Sequence, residues 1–421
     1  MITLESGKYK VPILTVIAIL SMSLVVNLPG LAISPLLGQL DKIFPHASDL
    51  EIQLLSILPN LFIIPFVLLS GKLSESKSKL TLAFVGLVIY LLSGIAYLFA
   101  KDMVLLIIIS CLLGIGCGLV IPIAGGLLAD YFFGKYRVKL LGIKSGVAVF
   151  TIVLANIFVG GTVTIDWHLP FAVYLVPIIP ILLFPFISKN YIKTHLTENQ
   201  IENQINKASV KDSGKIVQST IFDKKSGERM ILKLTAFYGI MTFAVLVITY
   251  YMPFRMQNAH ISDLILGEVT GLYFLMMAIP GFCLSYIIKF FRKNTILYGN
   301  IILLSGIVIS TIFSSAITFY ISAALMGFGY GIIQPILYDK ATNTTNNEKQ
   351  STQRFAILLS GNYIAIAIGP FIFKIIEKVI HDHSLIIPYI ISIIVMIILI
   401  IFNIIYRKSF VFNVDDSTDD N

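Results

Sequence analysis

Gly114-Ile115-Gly116-Cys117-Gly118-Leu119-Val120-Ile121-Pro122 is a Gly-x-Gly-x-Gly-x-x-x-Pro stretch, and the chain writes it twice. The second copy is Gly327-Phe328-Gly329-Tyr330-Gly331-Ile332-Ile333-Gln334-Pro335. The copies lie 213 positions apart, about half of the 421-residue length. Each sits inside a long apolar run, so each belongs to a helix in lipid. Residues i and i+4 share a helix face, so the pairs Gly114/Gly118 and Gly327/Gly331 let a neighbouring backbone come close. The proline beyond them loosens the helix, which membrane helices tolerate. Close packing accounts for each glycine pair alone; the repetition carries more. Two related halves in a membrane protein mark a secondary transporter built from internal repeats.

Hydrophobic residues make up 57% of the chain and charged ones 13%, with a mean hydropathy of +0.88. A soluble chain needs about 25% charged residues, so this is an integral membrane protein. The formal charge of +8 does not point to nucleic acid, because the basic residues sit in short clusters between apolar segments, where membrane orientation explains them. Cys111, Cys117 and Cys283 fall in apolar helices without metal-ligand or redox spacing and read as small core residues. The first apolar stretch lacks a small-residue cleavage site and reads as a span.

Twelve apolar segments of the length that a ~30 Å hydrocarbon core requires can be marked. They fall near 12–37, 51–71, 80–100, 103–129, 138–161, 168–188, 231–254, 264–288, 295–315, 317–338, 354–376 and 385–406. The expected organisation is a cytoplasmic N-terminus (1–11), a six-helix bundle (12–188), a polar cytoplasmic linker (189–230), a second six-helix bundle (231–406) and an acidic cytoplasmic tail (407–421). With both termini cytoplasmic, all but five of the 31 Lys and Arg lie on the inner side, the five being Lys42, Lys101, Arg255, Lys374 and Lys378. The positive-inside bias fixes that orientation. Trp167 sits in an outer loop, at the interface an amphipathic ring prefers.

The loop after the second span reads Gly71-Lys72-Leu73-Ser74-Glu75-Ser76-Lys77-Ser78-Lys79. It resembles the Gly-x-Leu-x-Asp-Arg-x-Gly-Arg/Lys signature of the major facilitator superfamily, with Glu75 for the aspartate and the middle Arg and Gly lost. Asp130-Tyr131-Phe132-Phe133-Gly134-Lys135-Tyr136-Arg137, followed by Gly142, resembles that family's loop between spans four and five. The resemblance covers residues 10–408 and implies an all-α fold of twelve transmembrane helices in two pseudo-symmetric bundles. It implies that Gly71, Glu75, Asp130 and Arg137 form a cytoplasmic latch between the halves; ordinary positive-inside loop charges are the alternative. Ion pairs at a solvated gate can be made and broken at modest cost. Two positions depart from the family pattern. Ser110 stands where many proton-coupled relatives carry an arginine, and Asn156 to Gly161 lacks the Gly-Pro of the drug–proton antiporters. Ser360-Gly361 echoes Ser145-Gly146, and Gly369-Pro370 follows in span eleven. The stretch from Pro12 to Ser23, with Leu58-Pro59-Asn60, is similar in texture to the conjugated bile salt transporters of lactobacilli.

Polar groups inside hydrocarbon are costly, so each one is a site candidate. The substrate-binding candidates are Asn27, Asn60, Asn156, Tyr250, Tyr251, Tyr273, Gln334 and Asn362, with interhelical hydrogen bonding as the alternative role. Arg255 is the first candidate to meet an anionic group and Lys144 the second; for Arg255 an interfacial snorkelling arginine is the alternative. Glu268 and Asp130 are the proton-coupling candidates, and His168 a weaker one at the outer mouth. His381 and His383, flanking Asp382, read as solvated loop residues, and no metal site or cofactor is expected. No central Arg or Lys clamp for a hydrophilic anion is visible. The expected substrate is therefore an amphipathic organic anion, a bile salt being one example, carried by exchange or with protons. Multidrug efflux of lipophilic compounds or cations by proton antiport is the alternative. No catalytic constellation and no Walker loop appears, so the chain reads as a transporter and not an enzyme. A monomer in a bacterial cytoplasmic membrane, surrounded by lipid and without nucleic acid, completes the expectation.

Overall fold

Backbone groups in lipid must be satisfied within their own segment, so an apolar chain of this kind folds into helices. The computed structural model describes residues 3–7, 10–30, 32–33, 36, 40, 43–47, 49–76, 78–162, 165–187, 224–345, 348–380 and 384–406. Lys42, Lys77, His381 to His383, most of the linker and the acidic tail lie outside the described residues.

Strands β1 (Thr3–Glu5) and β2 (Lys10–Pro12) pair antiparallel ahead of the helices. The first half holds α1 (Ile13–Ser21, prolonged by a 3-10 turn to Val25), α2 (Asp49–Ser76), α3 (Lys79–Tyr97), α4 (Met103–Tyr131) and α5 (Gly134–Thr162). Its sixth span joins 3-10 turns to a short α6 (Ile178–Leu183). The second half holds α7 (Lys224–Tyr250, followed by the short helix Met252–Asn258), α8 (Asp263–Phe291) and α9 (Thr295–Ile312). It continues through α10 (Ala316–Thr342), α11 (Glu348–Ile380) and α12 (Ile387–Ile405). Among the described residues, ten stretches are long and apolar enough to cross a membrane. One of them, Ile265–Ile312, contains both α8 and α9, and Ile13–Val25 adds a shorter apolar helix. That makes the expected twelve.

Two boundaries differ from the sequence reading. Helix α7 starts at Lys224, inside the polar stretch assigned to the linker, because a helix can run on into water once it leaves lipid. The helix that opens the first span ends, with its 3-10 turn, at Val25, and Gly30 adopts φ +78. A Cβ at Gly30 would stand 2.6 Å from Asn60 Nδ2, so the turn needs glycine there.

The repeated glycines do the same work in both halves. Gly114 and Gly118 lie against Pro59 and Ile63 of α2, and Gly116 against Tyr90 of α3. Gly327 and Gly331 lie against Tyr273 and Met277 of α8, and Gly329 against Gly299 and Leu303 of α9. Helices α4 and α10 are thus wedged between the two helices before them, with backbones in direct contact. Pro280 is followed by a kink at Cys283, whose φ/ψ of −109/16 leave the helical range.

At the basic end, Phe133 N–H donates to Ser6 O at 2.9 Å and the Tyr136 hydroxyl to Glu5 Oε2 at 2.8 Å. The N-terminal hairpin is therefore fastened to the turn between α4 and α5, where Gly134 has φ +51.

Candidate substrate site and inner gate

Where the halves meet, small residues bring backbones together. A Cβ on Gly142 of α5 would stand 2.6 Å from Gly281 O of α8. Gly71 of α2 faces Gln353 and Ala356 of α11, and Gly125 and Gly126 of α4 face Phe355 and Thr352. All of these lie toward the basic, inner end. At the outer ends of α5 and α8, Gly160, Gly161, Gly267 and Gly271 have nothing among the described residues within 4 Å of a Cβ position. The halves are in contact on the inner side, and these four outer positions lack such a contact among the described residues.

Polar groups reinforce the inner closure. Asp130 accepts from Lys79 at 2.6 Å and, across the halves, from the Ser351 hydroxyl at 3.0 Å. Arg137 donates through Nε to Phe132 O at 2.8 Å and lies over the Phe133 ring. Its other arm donates to Asn343 Oδ1 of the opposite half. Asn343 in turn donates to Asp339 Oδ2 at 3.1 Å. Asp130 and Arg137 thus both reach the other half, whereas among the described residues Glu75 joins none of these bonds. In the loop signature Lys79 only fills the final Arg/Lys position, and its pairing with Asp130 is not visible there. Asn343 went unnoticed, although it stands 213 positions after Asp130 and is its counterpart in the repeat.

One turn deeper the junction holds a cation. Lys144 of α5 is 2% exposed, with Nζ 5.2 Å from the Tyr338 ring centre and 5.1 Å from that of Phe355, both of the opposite half. Among the described residues no carboxylate pairs with it. Cation–π attraction of this kind contributes about 2 kcal/mol when desolvated, far less than the cost of an isolated buried charge. Its neighbour Ser145 donates to Gln334 Oε1 across the halves.

Gln334 belongs to a chain of hydrogen bonds in the second half. Its Nε2 donates to the Tyr238 hydroxyl at 2.8 Å, which lies 3.2 Å from the Tyr338 hydroxyl. Above it, Thr242 and Tyr330 converge on Asn362 Oδ1 at 2.8 and 3.0 Å and lie 3.0 Å from each other. Tyr238, Thr242, Tyr330 and Tyr338 were not among the sequence candidates. Tyr330 could have been found, because it replaces Cys117 within the repeated glycine motif, as Gln334 replaces Ile121.

The remaining candidates disperse. Arg255, 7% exposed, donates to the carbonyls of Ser310 and Thr311 and to the Ser314 hydroxyl, and lies 5.0 Å from the Tyr389 ring centre. It borders an outer recess of about 410 Å³ formed within the second half, away from the junction. Glu268 is exposed near the outer end of α8 and accepts from Tyr320. Asn60 donates to Ser56 O at 3.0 Å, in its own helix. Asn27 and Asn156 are half-buried, as are Tyr250 and Tyr251, and Tyr273 is buried beside Gly327. His168 faces Asp166 and Ala100 O in an outer loop, each at 3.1 Å. Among the described residues no group of three or more His, Cys, Asp or Glu could hold a metal ion.

Twelve spanning helices, a repeated glycine wedge in each half and a polar junction closed at one end are the architecture of a secondary transporter. The chain matches the Major Facilitator Superfamily over residues 13–370 and again over 230–413, and it belongs to that family. No curated protein matches it. Among solved structures it is similar to the proton:xylose symporter XylE bound to 6-bromo-6-deoxy-D-glucose, with a TM-score of 0.74 and 16% identity over 94% of this chain and 95% of that one. It is also similar to the human organic anion transporter MFSD10, with a TM-score of 0.68 and 14% identity over 92% and 97% of the two chains. At such identities the likeness concerns the fold.

Proposed function

We propose that this transporter carries an amphipathic organic anion across a bacterial cytoplasmic membrane by alternating access. The two bundles, residues 12–188 and 231–406, rock about their junction. The observation that carries this reading is Lys144, a buried cation between the halves, faced by aromatic rings and by no acid among the described residues. While no substrate is bound, Tyr338 and Phe355 stand in for an anion; a carboxylate or sulfonate brought into the junction displaces them and offers a stronger partner. The apolar body of the substrate then lies among the aromatic and aliphatic side chains of both halves. A bile salt is one molecule of this class, and MFSD10, named as an organic anion transporter, is a precedent for the fold.

Exchange against a second solute and proton coupling both fit this arrangement. For the latter we assign Asp130, whose partners change when the inner gate parts, and Glu268 at the outer side. Efflux of cations would need an acid where Lys144 stands.

The test is a thermal-shift titration in matched detergent with amphipathic carboxylates, sulfonates and lipophilic cations. Saturable stabilisation by anions, lost in Lys144→Met and kept in Arg255→Ala, is the expected result. Stabilisation by cations alone would sink the proposal.

A further inference from the structure

Asn362 is held by its acceptor end. Two hydroxyls, from Thr242 of α7 and Tyr330 of α10, converge on Oδ1, which fixes the plane of the amide. Its Nδ2 group has two N–H donors, and among the described residues neither finds an acceptor. The side chain is half-buried, so these donors are not sealed in the protein. A rigid, unspent donor pair is what a specificity site requires, because it incurs no ordering cost when the ligand arrives.

The position of Asn362 says what it reads. Thr352, Phe355 and Ala356 mark the face of α11 that meets the first half. Asn362 is seven residues beyond Phe355, two turns further along the same stripe and toward the outer ends. Phe355 is also the ring over which Lys144 lies. With a rise of 1.5 Å per residue, the levels of Lys144 and Asn362 differ by about 10 Å along α11.

We infer that the substrate is an elongated amphipathic anion that carries a hydrogen-bond acceptor, such as a hydroxyl or carbonyl oxygen, about 10 Å from its charged group, the acceptor being read by Asn362 Nδ2. This inference rests on the anion reading of Lys144. It narrows that reading from any amphipathic anion to one with two polar ends at a set spacing. Thr242 and Tyr330 are positioning residues, since they act on the ligand only by orienting the amide.

The experiment measures binding of ω-hydroxy straight-chain carboxylates of increasing length beside their unhydroxylated parents. A neutral hydrogen bond to a fixed donor improves affinity about five- to tenfold. The hydroxyl is expected to give that advantage only at the chain length that spans about 10 Å, and Asn362→Leu is expected to erase it, so that hydroxylated chains and their parents bind that variant equally. Asn362→Asp keeps an acceptor for the two hydroxyls and removes the amide donors; where the leucine variant folds poorly, it is expected to erase the difference between hydroxylated chains and their parents, while its added charge lowers the affinity of both. A hydroxyl advantage missing at every length, or surviving in both variants, overturns this inference while Lys144-dependent binding of the parents stands. Binding of no anion in a Lys144-dependent way overturns the anion reading and this inference with it.

Discussion

Gly281→Ala should act on the gate and spare the fold. A Cβ at Gly281 would stand 2.8 Å from Gly146 N and 3.1 Å from Gly146 Cα, with Gly142 O closer still. All three atoms are backbone of the opposite half, so no side chain can swing away. Overpacking of this kind costs about 1–3 kcal/mol. In the proposed rocking cycle α5 and α8 separate at this crossing when the inner side opens, so the cost falls only on the inner-closed arrangement. At 1.4 kcal/mol per tenfold, the open population should rise about five- to 150-fold. A cysteine at Thr352 reports the opening: the native side chain is fully buried, faces Gly126 across the halves and has no partner for its hydroxyl among the described residues. With Cys111, Cys117 and Cys283 replaced, a water-soluble maleimide should label Thr352→Cys faster once Gly281→Ala is added. Gly94→Ala is the control, since its Cβ would meet the Tyr174 backbone within one half; it should lower the melting temperature and leave labelling unchanged. Unchanged labelling in Gly281→Ala, with a normal melting temperature, would refute the claim that this crossing closes the gate.

Two further outcomes separate structural from functional charges. Arg255→Ala strands the carbonyls of Ser310 and Thr311 and the Ser314 hydroxyl, so it should destabilise the protein by about 2–4 kcal/mol; equal stability in chemical denaturation would contradict that role. Asp166 accepts from the His168 backbone N–H and from its ring, which holds its carboxyl below the usual range. A depressed folded-state pKa contributes stability that is complete above the unfolded value of about 3.9. That contribution is lost as pH falls through the lower folded value. Melting curves of Asp166→Asn should therefore depend less on pH than wild type below about pH 4, and an unchanged acid limb would count against the contact.

The spans were legible because lipid imposes length and hydropathy on the sequence directly, and the wedge was legible because Gly114 and Gly327 repeat it. Individual site residues were harder to read. Arg255 drew notice for its rarity on the outer side, yet a buried arginine can be satisfied by carbonyls, which composition does not reveal. Lys144 was the weaker candidate because it lies close to the basic end of α5; only the packing of α10 and α11 around it shows that it is out of water. Tyr330 and Thr242 were passed over because a hydroxyl in an apolar run carries little weight until its partner is known. Asn362 is the partner, and it lies 120 residues from Thr242 along the chain.

The hairpin of β1 and β2 bears on how this protein can be handled. Its Ser6 and Glu5 accept hydrogen bonds from Phe133 and Tyr136, one turn from the arginine that bridges to Asn343. The first strand is thus fastened beside the residue that bridges the halves. A fluorescent or affinity tag is therefore better placed away from this strand, since a fusion joined ahead of Thr3 would sit next to that bridge.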